Sequence, residues 1–261
     1  MKRKLRLLMK ILVGAICVSL LVVGAYLSAQ KSRQISSAAE IINKGNISDD
    51  ISSQQHDSVR ASRYSAVRVM SYSAEYGGIA SSSGTYVTYD YERFYVITAY
   101  HGMVGPCEYV KIVVDDAMYA CLDYVNGDED VDFMIMEVEE IPTLDAIHLP
   151  SRLPANDEWR QQLSVMKEVY YTGYPSGEGP VTLSGNIMSY EADNRMIAID
   201  SFAWPGSSGA GVFSEDGKLI GIVIALEVGN SHIGYHILEN FVWVLPVFRV
   251  EWESILIGTG E

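Results

Sequence analysis

The chain has 261 residues and a mass of 28.9 kDa, with 48% hydrophobic and 20% charged residues. That apolar content supports packed cores and excludes wholesale disorder. Nineteen basic residues face 33 acidic ones, yet residues 1–33 hold seven Lys/Arg and no Asp/Glu, so the rest of the chain sits at −21. A body that acidic has no basic surplus with which to neutralise phosphates, and nucleic acid is excluded as a partner class. Cys17, Cys107 and Cys121 are too few for a disulfide framework, and none has the C-x-x-C spacing of a zinc or redox site. No metal or cofactor motif is present.

Residues 11–29 (ILVGAICVSLLVVGAYLSA) contain no charge. As a helix they extend about 28 Å, close to the hydrocarbon thickness of a bilayer. Five basic residues precede the run, and only Lys31 and Arg33 follow it closely. By the positive-inside rule the N-terminus stays in the cytoplasm and the remainder is exported to the periplasmic or extracellular side. The competing reading is a cleaved signal peptide, for which Val23-Gly24-Ala25 is the one small-x-small site, and a poor one. Residues 1–29 are therefore expected to be a signal-anchor, with a transmembrane helix. Residues 30–60 hold seven Ser, four Gln and no aromatic residue, and read as a flexible tether.

From residue 61 to the end, short β-rich runs alternate with turns. They fall at Ala66–Met70, Gly84–Tyr89, Arg93–Thr98, Tyr109–Val114, Met118–Val125, Phe133–Val138, Glu168–Thr172, Thr182–Ser189, Met196–Asp200, Gly211–Phe213, Leu219–Leu226 and Gly234–Ile237. Almost no helical periodicity accompanies them, so an antiparallel barrel or sandwich is expected. Composition shifts over Leu149–Arg160, where two prolines and mixed charges separate a first half (61–150) from a second (160–261). Phe241–Ile255, with Trp243 and Trp252, is expected to close the second half, and Pro246 speaks against one uninterrupted helix there.

Three local patterns carry chemistry. The strand-like run from Tyr95 delivers His101 at its end, and imidazole is the side chain best matched to moving protons near neutral pH. Asp132 stands directly before the apolar run Phe133–Met136, where a carboxylate at the mouth of a core strand can hold an imidazole by its ring N–H. Asp130 is the nearest competitor, but only Asp132 abuts the run. The small residues around Ser208 (PGSSGAGVF, residues 205–213) allow a tight turn that exposes Oγ while backbone N–H groups point at a developing oxyanion.

The order His101, Asp132, Ser208, together with these surroundings, resembles the trypsin-like serine peptidases, most closely the bacterial Do/HtrA-type protease domain. YVITAYHGMV, VDFMIMEVE and PGSSGAGVFSEDGKLIGIV resemble the family's histidine, aspartate and serine motifs. Gly173-Tyr174-Pro175 with Ser184–Ser189, and Ile233–Ile237, resemble two more. The resemblance implies an all-β fold of two antiparallel six-stranded barrels with the triad between them. Ser208 would be the nucleophile, His101 the general base and Asp132 its orienting partner, with the N–H groups of Gly206 and Ser208 as oxyanion hole. Protein or peptide substrates follow. Ala210 replaces the family's second glycine after the serine, and Ser207 takes the usual Asn or Asp place. The rival reading is a catalytically silent trypsin-like fold used for binding. Only 24 residues follow Ile237, too few for the PDZ domain that Do-type enzymes carry.

The specificity pocket is expected between Ser201–Trp204, Ile222–Glu227 and His232–His236, with Phe202 and Ile233 at its floor. Lacking a buried acid, it favours small to medium apolar residues; Glu227, His232 and His236 are the side chains that would change this. A hairpin turning at Asp115–Ala117 sets Cys121 opposite Lys111 or Ile112, several residues from Cys107, which disfavours a bridge between the two cysteines.

Overall fold

The computed structural model describes residues 53–75, 77–149, 163–191, 196–231, 234–252 and 255. The expected anchor at 11–29, most of the tether and residues 150–160 of the expected boundary lie outside this set. Among the described residues no helix is long and apolar enough to cross a membrane.

Each of the twelve expected runs lies within or against a strand of two closed antiparallel barrels. The first comprises β1 (Ala66–Ser73), β2 (Gly78–Thr88), β3 (Phe94–Thr98), β4 (Val110–Val114), β5 (Ala117–Asp128) and β6 (Phe133–Val138). Its order is β1-β4-β5-β6-β3-β2, and the β1–β2 pairing closes it. A two-residue strand, β7 (Ile147–His148), adds parallel to β2. The second barrel comprises β8 (Glu168–Gly173), β9 (Val181–Glu191), β10 (Met196–Asp200), β11 (Gly211–Ser214), β12 (Leu219–Ser231) and β13 (Gly234–Pro246), in the order β10-β13-β12-β11-β8-β9. β13 runs on to Pro246, so Trp243 belongs to it, while Trp252 is buried beyond it and donates from Nε1 to the Val247 carbonyl at 2.8 Å.

The continuous apolar runs have a simple cause. Alternate residues of a strand face opposite sides, and both sides of β3 and β6 are buried. Val96, Met134 and Met136 point into the first barrel with Val67, Val69 and Ile112. Tyr95, Ile97, Phe133 and Ile135 point the other way and join the core that holds Tyr171, Ile199, Val212 and Phe213 of the second barrel. With β2, which adds Val87 to that core, β3 and β6 line the junction, and these two carry His101 and Asp132 at their ends.

Two expectations are corrected. Residues 53–60, expected within the tether, begin helix α1 (Ser53–Tyr64). Its packing face is built from serines: Ser58 and Ser62 are buried, Ser58 Oγ donates to the Glu215 carbonyl, and Ser62 Oγ bonds Thr172 Oγ1 at 2.9 Å. A hydroxyl-lined face leaves no apolar stripe in the sequence. The second correction concerns the cysteines: Cys107 and Cys121 form a disulfide, with Cα atoms 5.4 Å apart. The β4–β5 connection uses only Asp115 and Asp116, pairing Val114 with Ala117 and Lys111 with Ala120. Cys121 is thereby set one residue further toward Cys107 than expected, and a 3₁₀ turn at Cys107–Tyr109 folds the chain back to meet it.

Candidate active site

His101 leaves β3 through buried Ala99 and sits in a 3₁₀ turn, Tyr100–Gly102, at the rim of the first barrel. Asp132 occupies the residue before β6 with φ +70°, a left-handed conformation that aspartate tolerates better than most residues. Its N–H donates to the Asp128 carbonyl at 2.8 Å, and the Asp128 carboxylate accepts from Val131 N–H at 2.9 Å. The turn aims Asp132 at the cleft, whereas Asp130 is exposed. Both Asp132 oxygens are committed to one residue: Oδ1 accepts from the backbone N–H of His101 at 2.9 Å and Oδ2 from Nδ1 at 2.8 Å. With Nδ1 donating, Nε2 is the acceptor, and it stands 3.0 Å from Ser208 Oγ. The hydrogen bond that Nδ1–H donates to Asp132 holds the imidazole pKa above its ordinary value of 6.5, against partial burial, which pulls it down; the carboxylate charge adds to the rise.

The Ser208 loop is fastened by its carbonyls. Trp204 O accepts from Ser207 N–H (2.9 Å), Pro205 O from Ser176 N–H (2.6 Å), Ser207 O from Ala210 N–H (3.1 Å) and Ser208 O from Ser83 N–H (2.8 Å). Gly206 O accepts from Ser83 Oγ at 2.7 Å. A peptide N–H points opposite to the carbonyl of its own plane, so holding Pro205 O and Ser207 O orients the N–H groups of Gly206 and Ser208. Among the described residues neither N–H has an acceptor, whereas those of Ser207, Gly209 and Ala210 are all paired. The arrangement can receive an oxyanion. Gly206 has φ +99°, and a Cβ there would lie 2.7 Å from the Tyr174 carbonyl. Ala210 fits: it is fully buried without a positive φ, and the space for its Cβ comes from Gly173, where an added Cβ would approach it to 3.2 Å.

Beside the triad lies a cleft of about 360 Å³, lined by His101, Asp132, Ser208 and Ser207 and by Ala203, Trp204, Pro205, Val223 and Ile224. Phe202, expected on its floor, does not line it. Alternation along 201–204 turns Ser201 and Ala203 inward and leaves Phe202 52% exposed, stacked on Trp204 with ring centroids 6.2 Å apart. Ile233 and His232 lie outside the described residues, as do the side chains of Glu227 and His236. Sequence reasoning missed Ser83, and it singled out Gly173-Tyr174-Pro175 as a motif without the hold that the following Ser176 N–H has on Pro205 O. The available signal was Ser81-Ser82-Ser83-Gly84, small polar residues inside a strand, which mark a close approach of another backbone.

Paired six-stranded barrels that bring an imidazole, a carboxylate and a serine hydroxyl to one cleft define a serine endopeptidase of the trypsin-like class. The model of the trypsin-like peptidase domain matches residues 82–222, more than half of the chain, and the protein belongs to that family. Among solved structures, the chain resembles the active form of the Rv3671c protease from M. tuberculosis (19% identity, TM-score 0.55, covering 77% of this chain and 82% of that one). It also resembles a serine endoprotease from Yersinia pestis (18%, TM-score 0.59, covering 80% and 69%). A third is the HtrA-type protease AlgW with a tripeptide (18%, TM-score 0.58, covering 78% and 64%). At these identities the likeness is one of fold. No curated protein matches the sequence.

Proposed function

We propose that this serine endopeptidase works through an acyl-enzyme formed on Ser208. Ser208 Oγ attacks the scissile carbonyl and passes its proton to His101 Nε2. Asp132 holds the tautomer and stabilises the imidazolium, and the N–H groups of Gly206 and Ser208 receive the carbonyl oxygen as it becomes an oxyanion. The imidazolium then protonates the departing amine, and water repeats the cycle on the ester. The observation that carries this reading is the unbroken hydrogen-bonded chain Asp132–His101–Ser208, at 2.8 and 3.0 Å. A fluorophosphonate probe tests it: folded protein should label at Ser208, and Ser208→Ala should not. Unlabelled folded protein would overturn the reading.

The cleft favours a small or medium apolar residue on the acyl side of the bond. Apart from the triad, its described lining carries no charged side chain. A Lys or Arg side chain would lose hydration there without a partner, at a cost of several kcal/mol. Cleavage-site profiling of a peptide library checks this; a dominant Arg/Lys or Glu/Gln preference would refute it. The enzyme is held at a membrane by residues 11–29, with the peptidase on the exported side. Support comes from the 19-residue uncharged run and its basic N-terminal flank. Protease added to spheroplasts should remove the globular part and leave a short anchored stub, whereas release of soluble protein starting near Tyr26 would show a cleaved signal.

A further inference from the structure

Ser83 lies on β2 of the first barrel, 125 residues before Ser208, and is fully buried. All three of its polar atoms are engaged, and two of them, the N–H and Oγ, face the catalytic loop or the turn behind it. Its N–H donates to Ser208 O at 2.8 Å. Its Oγ donates to Gly206 O at 2.7 Å and accepts from Tyr174 N–H at 2.8 Å. Its own carbonyl accepts from Thr98 Oγ1 at 2.6 Å, tying it to the strand that ends in His101. One side chain thus joins the nucleophile loop to the Tyr174–Gly177 turn, whose Ser176 N–H holds Pro205 O at 2.6 Å.

This placement has a consequence for the oxyanion groups. The N–H of Gly206 belongs to the Pro205–Gly206 peptide plane, and the carbonyl of that plane is held from the Tyr174 turn. The next plane, Gly206–Ser207, has its carbonyl held by Ser83 Oγ. Gly206 itself carries no side chain to restrict its dihedrals. Without the Ser83 hydroxyl, the half-buried Gly206 O would lose the donor that holds it, and an acceptor left so is relieved by moving the group. Loss of the hydroxyl also takes the acceptor from Tyr174 N–H, which loosens the turn whose Ser176 N–H holds Pro205 O, and the Pro205–Gly206 plane can then turn the Gly206 N–H away from the cleft.

We infer that Ser83 is a positioning residue for the oxyanion hole: its hydroxyl fixes Gly206, so that the second barrel's catalytic loop is competent only when clamped by the first barrel. The inference rests on the Ser208 acyl-enzyme reading. It does not touch substrate recognition, because Ser83 is absent from the lining of the cleft.

The test compares Ser83→Ala with Ser82→Ala. Ser82 is the neighbouring buried serine on the same strand, and its hydroxyl has no partner among the described residues. In Ser83→Ala, kcat should fall roughly 10- to 100-fold with KM within about 3-fold, less than the loss from deleting an oxyanion donor outright. Binding of a peptide boronate, whose tetrahedral oxygen occupies the oxyanion position, should weaken by the same factor, and the acid limb of the pH profile should stay in place. Ser82→Ala should keep wild-type kcat. Ser83→Thr, which retains the hydroxyl, should recover most of the loss. Ser83→Cys, nearly isosteric but a poor donor, gives the kcat reading should the alanine variant fold poorly. An unimpaired kcat in Ser83→Ala, a loss confined to KM, or an equal loss in Ser82→Ala would overturn the inference. Wild-type protein is labelled with fluorophosphonate in the same experiment. Failure there removes the acyl-enzyme reading as well, whereas a labelled wild type with an unimpaired Ser83 variant removes the positioning role alone.

Discussion

Gly209 follows the nucleophile where its loop lies against β2 of the first barrel, and Gly209→Ala measures what that close approach contributes. The residue has φ +89°, and a Cβ there would lie 2.0 Å from the Ser83 carbonyl oxygen and 2.3 Å from Thr98 Oγ1. A left-handed backbone costs a residue with a side chain about 1–3 kcal/mol. Relieving the clash requires β2 and the loop to separate by more than 1 Å, on the order of an ordinary van der Waals gap. That movement breaks the Ser83 Oγ to Gly206 O bond (2.7 Å) and the Ser83 N–H to Ser208 O bond (2.8 Å), at about 1 kcal/mol each. The expected destabilisation is roughly 3–5 kcal/mol, a large part of the 5–15 kcal/mol that ordinarily holds a domain. Equilibrium urea unfolding followed by tryptophan fluorescence measures it. A loss below about 1 kcal/mol would show that the barrels tolerate separation at this point, and the packing argument would be wrong.

Ala210→Gly should behave in the opposite sense to a strained alanine, losing about 1–2 kcal/mol through the emptied Cβ site and the added chain entropy; a more stable glycine variant would mean that Ala210 is strained after all. Asp132→Asn should keep its amide oxygen on the His101 backbone N–H, present its NH₂ to Nδ1 and force a proton onto Nε2, so kcat should fall by about 10⁴-fold, while exposed Asp130→Asn stays within about 2-fold. Because Asp132 raises the pKa of His101 and the general base must be neutral, the acid limb of kcat/KM should lie above pH 6.5 and move down in Asp132→Ala. The same pairing adds stability below pH 6.5 that is lost as pH rises through the raised value, and pH-dependent unfolding of wild type against His101→Ala reads that sign. The Cys107–Cys121 bridge spans 14 residues, so reductant or the double alanine variant should each cost about 3 kcal/mol, with no further effect of reductant on the variant.

Where local pattern and burial agree, the sequence alone determined the structure. Phe133–Val138 and Met196–Asp200 match observed strands end to end, because the apolar stretches Phe133–Met136 and Met196–Ile199, each bounded by charged residues, have one way to bury both faces. His101, Asp132 and Ser208 were legible for a related reason. Each stands beside a feature that local sequence displays, namely the end of a core strand, the start of another, and a run of small residues. Tertiary structure decided everything that depends on what lies across a gap. The serine face of α1 is polar in composition and buried only because β8 and the Glu215 turn supply partners. Phe202 turned outward because alternation from Ser201 placed Ala203 inside. Cys107 reached Cys121 through a two-residue turn that shifted the register by one. Ser83 became the clamp of a loop more than 120 residues away, since a hydroxyl inside a strand acquires a role only when the second barrel brings an unpaired carbonyl to it.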